Sequence, residues 1–425
     1  MNSILIKNAR IIDPSGEFDR IGDIYVGGNS IISIGENLKM DADKVIDATG
    51  LVAAPGLVDM HVHLRDPGFT DKEDIFSASE AAAAGGVTTI LAMPNTDPVC
   101  DNENTIKYVS AKGNEAKINI LPVAAITKGL DGQELTDFAS LKAAGAVAFS
   151  DDGKPVSTAA MMREAMTMAC WIDSPILAHC EDSSLAQDGL INEGVISEAL
   201  GIKGIPAAAE DVGVAREIAL AASTDSRVHI CHVSSEKAIN LIRFAKKNGI
   251  KVTSETCPHY FALNEELMFH QDADYRMNPP LRTEMDRRAV IRAIIDGTID
   301  AIATDHAPHT PKEKSDFFAA PNGVIGLETS LAAGIKYLVN TGYISLFKLL
   351  YMMSTVPAEI IGINAGGLRV NSPADIMIFD PNEKWIVKPE NFHGKSVNSA
   401  FKGLELTGKV KFTICSGKLI YNDNE

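Results

Sequence analysis

The sequence predicts an α/β protein, a (β/α)₈ TIM-like barrel joined to a small discontinuous β-sandwich domain built from the two chain ends. Two observations lead there. Through the middle of the chain, eight apolar, β-branched runs alternate with alanine-rich stretches of helical period, the pattern of repeated βα units and a parallel sheet. At both ends the texture changes to short β-like runs broken by turn residues such as Gly27-Gly28-Asn29.

In chain order, runs at 4–6, 21–26, 31–34 and 44–46 read as a small antiparallel sheet. The eight central strands are expected at 56–63, 87–93, 118–123, 146–150, 176–179, 228–232, 251–255 and 301–305. Helices fit between them, for example at 75–84, 159–169, 210–222, 235–248 and 286–297. Strands return at 375–379, 385–387, 408–414 and 418–421. Eight βα units over about 300 residues is the size of a closed barrel with insertions, although an open doubly wound sheet could use the same pattern. The implied division is residues 1–53 with 358–425 as the β-rich domain and 54–357 as the barrel.

Composition narrows the function. The chain has 425 residues, 45% of them hydrophobic and 22% charged, which is ordinary for a globular enzyme. Its formal net charge of −17 argues against nucleic acid and anionic membrane as partners, since both are polyanions. The segment Met1-Asn-Ser-Ile-Leu-Ile-Lys-Asn-Ala-Arg10 reads as the start of a strand rather than a signal peptide, and no apolar run reaches membrane-spanning length. Six cysteines without Cys-x-x-Cys pairing suit the cytoplasm. Cys180 and Cys231 read as small buried residues on the strand face opposite the neighbouring histidines.

The chemistry starts at His61 and His63. Residues i and i+2 of a strand share a face, so both imidazoles project together at the carboxyl end of the first barrel strand, where barrel enzymes keep their active sites. Other ligand-type residues end other predicted strands: Asp151-Asp152, His179, His232 and Asp305. A buried strand does not terminate in such groups without purpose, and four histidines with carboxylates suit zinc, less often manganese or cobalt. By strand parity His229 should face away from His232, and His306 away from Asp305. His259 reads as structural, and His270 and His393 as solvated loop histidines.

Five motifs carry a resemblance: Pro55-Gly-Leu-Val-Asp-Met-His-Val-His-Leu-Arg65, Met93-Pro-Asn-Thr96, Ala178-His-Cys-Glu181, Met277-Asn-Pro-Pro-Leu-Arg282 and Ala303-Thr-Asp-His-Ala-Pro-His309. In order and spacing the chain resembles dihydroorotases of the bacterial class I type, within the amidohydrolase superfamily. The resemblance implies two zinc ions per subunit, one held by His61, His63 and Asp305, the other by His179 and His232, with Asp152 between them and Asp151 as the alternative. Many superfamily members bridge the metals with a carboxylated lysine; Lys154, placed after Gly153, reads instead as a loop residue.

For such a site, zinc can lower the pKa of bound water from 15.7 to about 7 and polarise a carbonyl, and two metals sharing a hydroxide nucleophile could do both. Asp305 would shuttle the proton to the leaving nitrogen. The resemblance further implies that Arg65, Asn95 and His309 clamp the substrate carboxylate, while Asn278 and the backbone at Asn322-Gly323 meet the ring edges. The family more often carries phenylalanine before that glycine, which puts the Asn322 side chain in doubt. The expected reaction is the reversible conversion of (S)-dihydroorotate and water to N-carbamoyl-L-aspartate in de novo pyrimidine (UMP) biosynthesis. Rival readings are a hydantoinase, dihydropyrimidinase or allantoinase, which have no use for a carboxylate clamp, and an inactive scaffold for aspartate transcarbamoylase, which should have lost ligands. A homodimer, with possible association with aspartate transcarbamoylase, is the family expectation.

Overall fold

The computed structural model describes residues 3–423, so Met1 and Asn2 of the amino-terminal segment lie outside the described residues. Five strands come first: β1 (Ser3–Asp13), β2 (Phe18–Gly27), β3 (Ser30–Gly35), β4 (Lys44–Asp47) and β5 (Val52–Pro55). Barrel strands follow as β6 (Leu57–Val62), β7 (Val87–Ala92), β8 (Asn119–Ala125), β9 (Ala148–Ser150) and β10 (Ile176–Ala178). A two-strand ribbon, β11 (Ile191–Asn192) and β12 (Gly204–Ile205), precedes β13 (Val228–Ile230), β14 (Val252–Thr256) and β15 (Ala301–Ile302). The chain ends with β16 (Ile376–Ile386), β17 (Glu405–Cys415) and β18 (Lys418–Asn422).

The barrel strands pair in parallel in the order β15-β14-β13-β10-β9-β8-β7-β6. A parallel bridge between Val62 and His306 joins the two edges, with the His63 amide donating to the His306 carbonyl at 2.9 Å. The open-sheet alternative therefore falls. Inside the ring, Met60, Leu91, Val123, Ala148, Leu177 and Ala301 fill the core, and Val356 and Ile361 of the helix Val356–Ile361 pack against them. Outside it, helices bury one stripe each. The helix Glu236–Lys247 buries Ala238, Ile239, Ile242 and Ala245, starts on a Ser235 cap and ends in Lys246 and Lys247, which complement its carbonyl end. The helix Ile75–Ala84 begins with a reciprocal Asp74–Ser77 capping box.

The two chain ends form one hydrogen-bonded sheet, β18-β17-β16-β5-β1-β2-β3, with β4 also on β1. It is mixed, not antiparallel as expected: β4 and β5 run parallel to β1. At a register slip between Ile6 and Ala9, β1 changes neighbour from β4 to β5 and the sheet forks. A separate core of Ile4, Ile6, Ile11, Ile24, Ile376 and Ile378 lies against it. The runs predicted at 375–379 and 385–387 are one strand, β16, whose register breaks between Asp380 and Lys384. No helix among the described residues is long and apolar enough to cross a membrane.

Candidate metal centre and active site

The barrel delivers the carboxyl ends of its strands to one mouth. His61 lies near the end of β6 and His63 just beyond it, while Asp152, His179, His232 and Asp305 lie just past β9, β10, β13 and β15. Arg65, His232 and Asp305 adopt left-handed backbone (φ 59°, 37° and 48°), a conformation that non-glycine residues enter at a cost and that clusters at functional sites. These turns end the pleat abruptly and send the side chains into the mouth.

At the centre sits the Asp152 carboxylate. Its Oδ1 is 3.3 Å from His61 Nε2, 3.3 Å from His179 Nδ1 and 3.6 Å from His232 Nε2; its Oδ2 is 3.3 Å from His63 Nε2. Asp305 Oδ1 lies 3.1 Å from His63 Nε2 and 3.6 Å from His61 Nε2. His179 Nδ1 and His232 Nε2 are 2.9 Å apart. All six residues are buried. His61, His63 and Asp305 form one candidate metal-binding group, and His61, Asp152 and His232 another.

The outer partners decide which ring nitrogens face inward. His61 Nδ1 lies 2.9 Å from Glu255 Oε1, and His63 Nδ1 lies 2.8 Å from Asn95 Oδ1. Carboxylate and amide oxygens only accept, so both Nδ1 atoms carry the proton and both Nε2 lone pairs point at Asp152 and Asp305. Lone pairs facing anionic oxygens at 3.1–3.6 Å repel unless positive charge lies between them. His61 Nε2, Asp152 Oδ1 and His232 Nδ1 are buried without a hydrogen-bond partner. The same field acts on protons: burial opposes ionisation of His61, yet Asp152 and Asp305 raise its pKa well above the usual imidazole value. Burial likewise opposes ionisation of Asp152, but His61, His179 and His232 hold it well below the carboxylate range. The donor set fits a divalent cation.

Above the cluster opens a cavity of about 260 Å³. Its wall includes His63, Arg65, Asn95 and Asn278, the Asp152 and Asp305 carboxylates, and the His309, Asn322 and Gly323 loop; His61 lies beneath it. Arg65 is half-buried, donates from Nε to the Pro308 carbonyl at 3.2 Å, and enters no ion pair among the described residues. With Asn95 Oδ1 engaged by His63, the Asn95 amide nitrogen is the end left for a ligand. His309 Nε2 donates to the Asn322 carbonyl at 2.9 Å, while burial and the cations Arg65, Lys72 and Lys314 push its pKa down to about 3. Its ring is neutral and its one N–H is engaged, so gripping a carboxylate would require an exchange of partners. Asn278 donates from Nδ2 to Glu181 Oε2 at 2.8 Å. The Asn322 side chain turns away from the cavity centre to accept from Arg276 Nη2 at 3.1 Å.

Asp151 points elsewhere: its Oδ1 accepts from the Ile126 and Thr127 amides at 2.7 and 3.0 Å, and burial raises its pKa to about 6. Lys154 is an exposed loop residue. His306 turns aside, with Nδ1 accepting from the Gly326 amide, and His259 is buried, with no hydrogen bond or ion pair to the cluster's carboxylates among the described residues. Parity fails for His229 and Cys231. The strand ends at Ile230 and His232 takes its left-handed turn, so His229 and Cys231 both belong to the barrel interior. Cys180, by contrast, packs in the outer core. His393 is not merely solvated: its Nδ1 lies 2.8 Å from Glu328 Oε2.

Sequence reasoning missed Glu255 and Asp59. Glu255 closes the seventh predicted strand, the same signal that singled out the candidate ligands, and it contacts His61 and His229. Burial would raise its pKa, but those two histidines lower it to about 2. Asp59 Oδ1 accepts from the His61 and Thr304 amides at 3.1 Å each, tying the first and last barrel strands together.

A family profile described as dihydro-orotase-like matches residues 50–238. A dihydroorotase of Clostridioides difficile (strain 630) is 48% identical over 99% of this chain and 100% of its own length. One from Ruminiclostridium cellulolyticum is 47% identical over 97% of each chain. Among solved structures, the L-hydantoinase (dihydropyrimidinase) of Arthrobacter aurescens superposes with a TM-score of 0.90 at 25% identity, covering 100% of this chain and 97% of its own. The D-hydantoinase (dihydropyrimidinase) of Thermus sp. gives 0.86, also at 25% identity, over 99% and 96%. Hydantoinases share the architecture, but relatives nearly half identical over almost every residue share the name, and the chain belongs to the dihydroorotase family.

Proposed function

We propose that the chain interconverts (S)-dihydroorotate and N-carbamoyl-L-aspartate, with His61, His63, Asp152, His179, His232 and Asp305 holding two zinc ions. The observation that carries the substrate is Arg65: a half-buried guanidinium, unpaired with any acid among the described residues, on the wall of a small cavity over the carboxylate–histidine cluster. A buried cation needs an anion, and the ring carboxylate supplies one. Bound zinc supplies a water of lowered pKa and a Lewis acid for the ring carbonyl. Asp305 accepts the proton released as the water oxygen attacks the carbonyl carbon, and returns it to the ring nitrogen as the C–N bond breaks. Arg65 and the Asn95 amide nitrogen hold the carboxylate, and Asn278 with the Gly323 backbone borders the ring.

The structural likeness to hydantoinases favours a second reading, hydrolysis of an uncharged cyclic amide. Parallel assays on dihydroorotate and hydantoin separate the two: the zinc-loaded protein should turn over dihydroorotate and ignore hydantoin. Asp305→Asn should lower kcat by about 10²–10⁴, the span of general acid–base catalysis. Turnover of hydantoin alone would reject the reading. Plasma emission on the purified protein should find two zinc per chain. A cytoplasmic homodimer, able to associate with aspartate transcarbamoylase, belongs to the same proposal and is tested by sedimentation with and without that enzyme. So does a domain division at 53/54 and 357/358, which limited proteolysis probes.

A further inference from the structure

We propose that Glu255 and His229 are positioning residues that hold the His61 ring from beneath, its Nε2 lone pair aimed at the metal. This rests on His61 being a metal ligand. The geometry is a chain of contacts through the barrel core. His61 Nδ1 is 2.9 Å from Glu255 Oε1, His229 Nε2 is 3.2 Å from Glu255 Oε2, and His229 Nδ1 is 2.9 Å from Thr253 Oγ1. Glu255 and His229 are 0% and 1% exposed. Around them the barrel interior is aliphatic, with Met60, Leu91, Val123 and Leu177.

A carboxylate and an imidazole cost far more to bury than the leucine or methionine that would fill the same volume. Stability alone does not call for them there. What they provide is direction. A carboxylate can only accept, so Glu255 forces the proton onto His61 Nδ1 and leaves Nε2 bare. The His229 ring stands 3.2 Å from the other Glu255 oxygen, which limits how far the carboxylate can swing, and the paired strands β13 and β14 set the register, with His229 opposite Thr253, two residues before Glu255. Outer partners of this kind raise the basicity of a ligating histidine and set its orientation.

The test measures zinc affinity by chelator competition on the full-length protein, with histidine tautomers read by ¹⁵N NMR on ¹⁵N-histidine-labelled, zinc-loaded samples. Glu255→Gln should weaken zinc binding about 10–100-fold, the range found for outer-shell partners, and alter the His61 tautomer signature. Glu255→Asp, which keeps the charge, should recover part of the affinity. His229→Asn should weaken zinc in the same direction by less, and it carries the test if Glu255→Gln does not fold by circular dichroism. His259→Gln, which also loses a buried histidine, should bind zinc as the parent does. Affinity within twofold of the parent in both Glu255→Gln and His229→Asn would overturn the inference. His61→Asn separates the levels: if it binds zinc normally, the ligand assignment itself is wrong; if it loses zinc while Glu255→Gln does not, only the positioning role fails.

Discussion

Replacing Arg65 by methionine gives a direct measure of the proposed carboxylate clamp. Methionine keeps most of the apolar stem while removing the charge and every donor. In the folded protein the guanidinium spends one donor on the Pro308 carbonyl, and among the described residues His309 Nε2, at 3.5 Å and itself a donor, is the one polar side-chain atom recorded near Nη2. The remaining N–H groups are available to a ligand. Two charge-assisted hydrogen bonds at about 1.5–2.5 kcal/mol each give roughly 3–5 kcal/mol toward a bound carboxylate. At 1.4 kcal/mol per decade this predicts a fall in kcat/KM for dihydroorotate of about 10²–10⁴. The control is 5,6-dihydrouracil, the same ring without the carboxylate. The parent should be poor on it, and Arg65→Met should be no poorer. Zinc content should be unchanged. An equal loss on both rings, or loss of zinc, would show that Arg65 supports the site's structure rather than reading the substrate. Arg65→Lys should restore only part of the activity, since an ammonium supplies charge without the two-pronged fork.

Two further perturbations follow from the geometry. At Gly323 (φ +131°) an added Cβ would lie 2.7 Å from Ala307 Cβ and 3.1 Å from His309 Nε2, so Gly323→Ala should raise KM and lower kcat. Asn322→Ala, whose parent side chain bonds Arg276 instead of facing the cavity, should change KM less than about threefold by the same assay, consistent with loss of one exchangeable hydrogen bond. The His393–Glu328 pair sets a pH dependence of stability. The hydrogen bond to Glu328 raises the His393 pKa above its usual 6.5, so the pair's contribution is complete below about pH 6.5 and is lost as pH rises through the folded value. Half-exposed, it should be worth no more than about 1 kcal/mol. In urea titrations His393→Gln should be less stable than the parent at pH 5.5 and match it at pH 9; a gap that widens with pH would refute the pairing.

Most of the barrel was legible because its strands are short apolar runs with polar ends, and a residue that ends such a run reveals both the strand and the mouth. The predicted run 301–305 shows how this works: only Ala301 and Ile302 pair as strand, yet the segment still places Asp305. The helix 75–84 was legible to the residue because Asp74 and Ser77 write its start. Parity, the tool that pairs His61 with His63, misled at His229. It assumes an unbroken pleat, whereas β13 ends at Ile230 and His232 turns left-handed. The mixed sheet of the chain ends was hidden for a related reason, since β1 changes partner at a bulge between residues far apart from β4 and β5 in sequence.

Glu255 and Asp305 differ in a way that bears on the proposed roles of positioning residue and metal ligand. Both kinds end or border barrel strands, and by residue type alone Glu255 was as good a candidate as Asp305. The difference lies in depth. Asp305 reaches the cavity wall, while Glu255 is sealed below His61 and meets the mouth only through that ring. Depth is set by where each strand stops: β14 continues to Thr256, one residue beyond Glu255, whereas β15 stops three residues short of Asp305. Inside the pleat, Glu255 is held by its neighbours; past the end of its strand, Asp305 turns into the mouth. Strand length would therefore sort these two acids into the proposed roles of positioning residue and ligand, and it is the quantity that runs of apolar residues report least well.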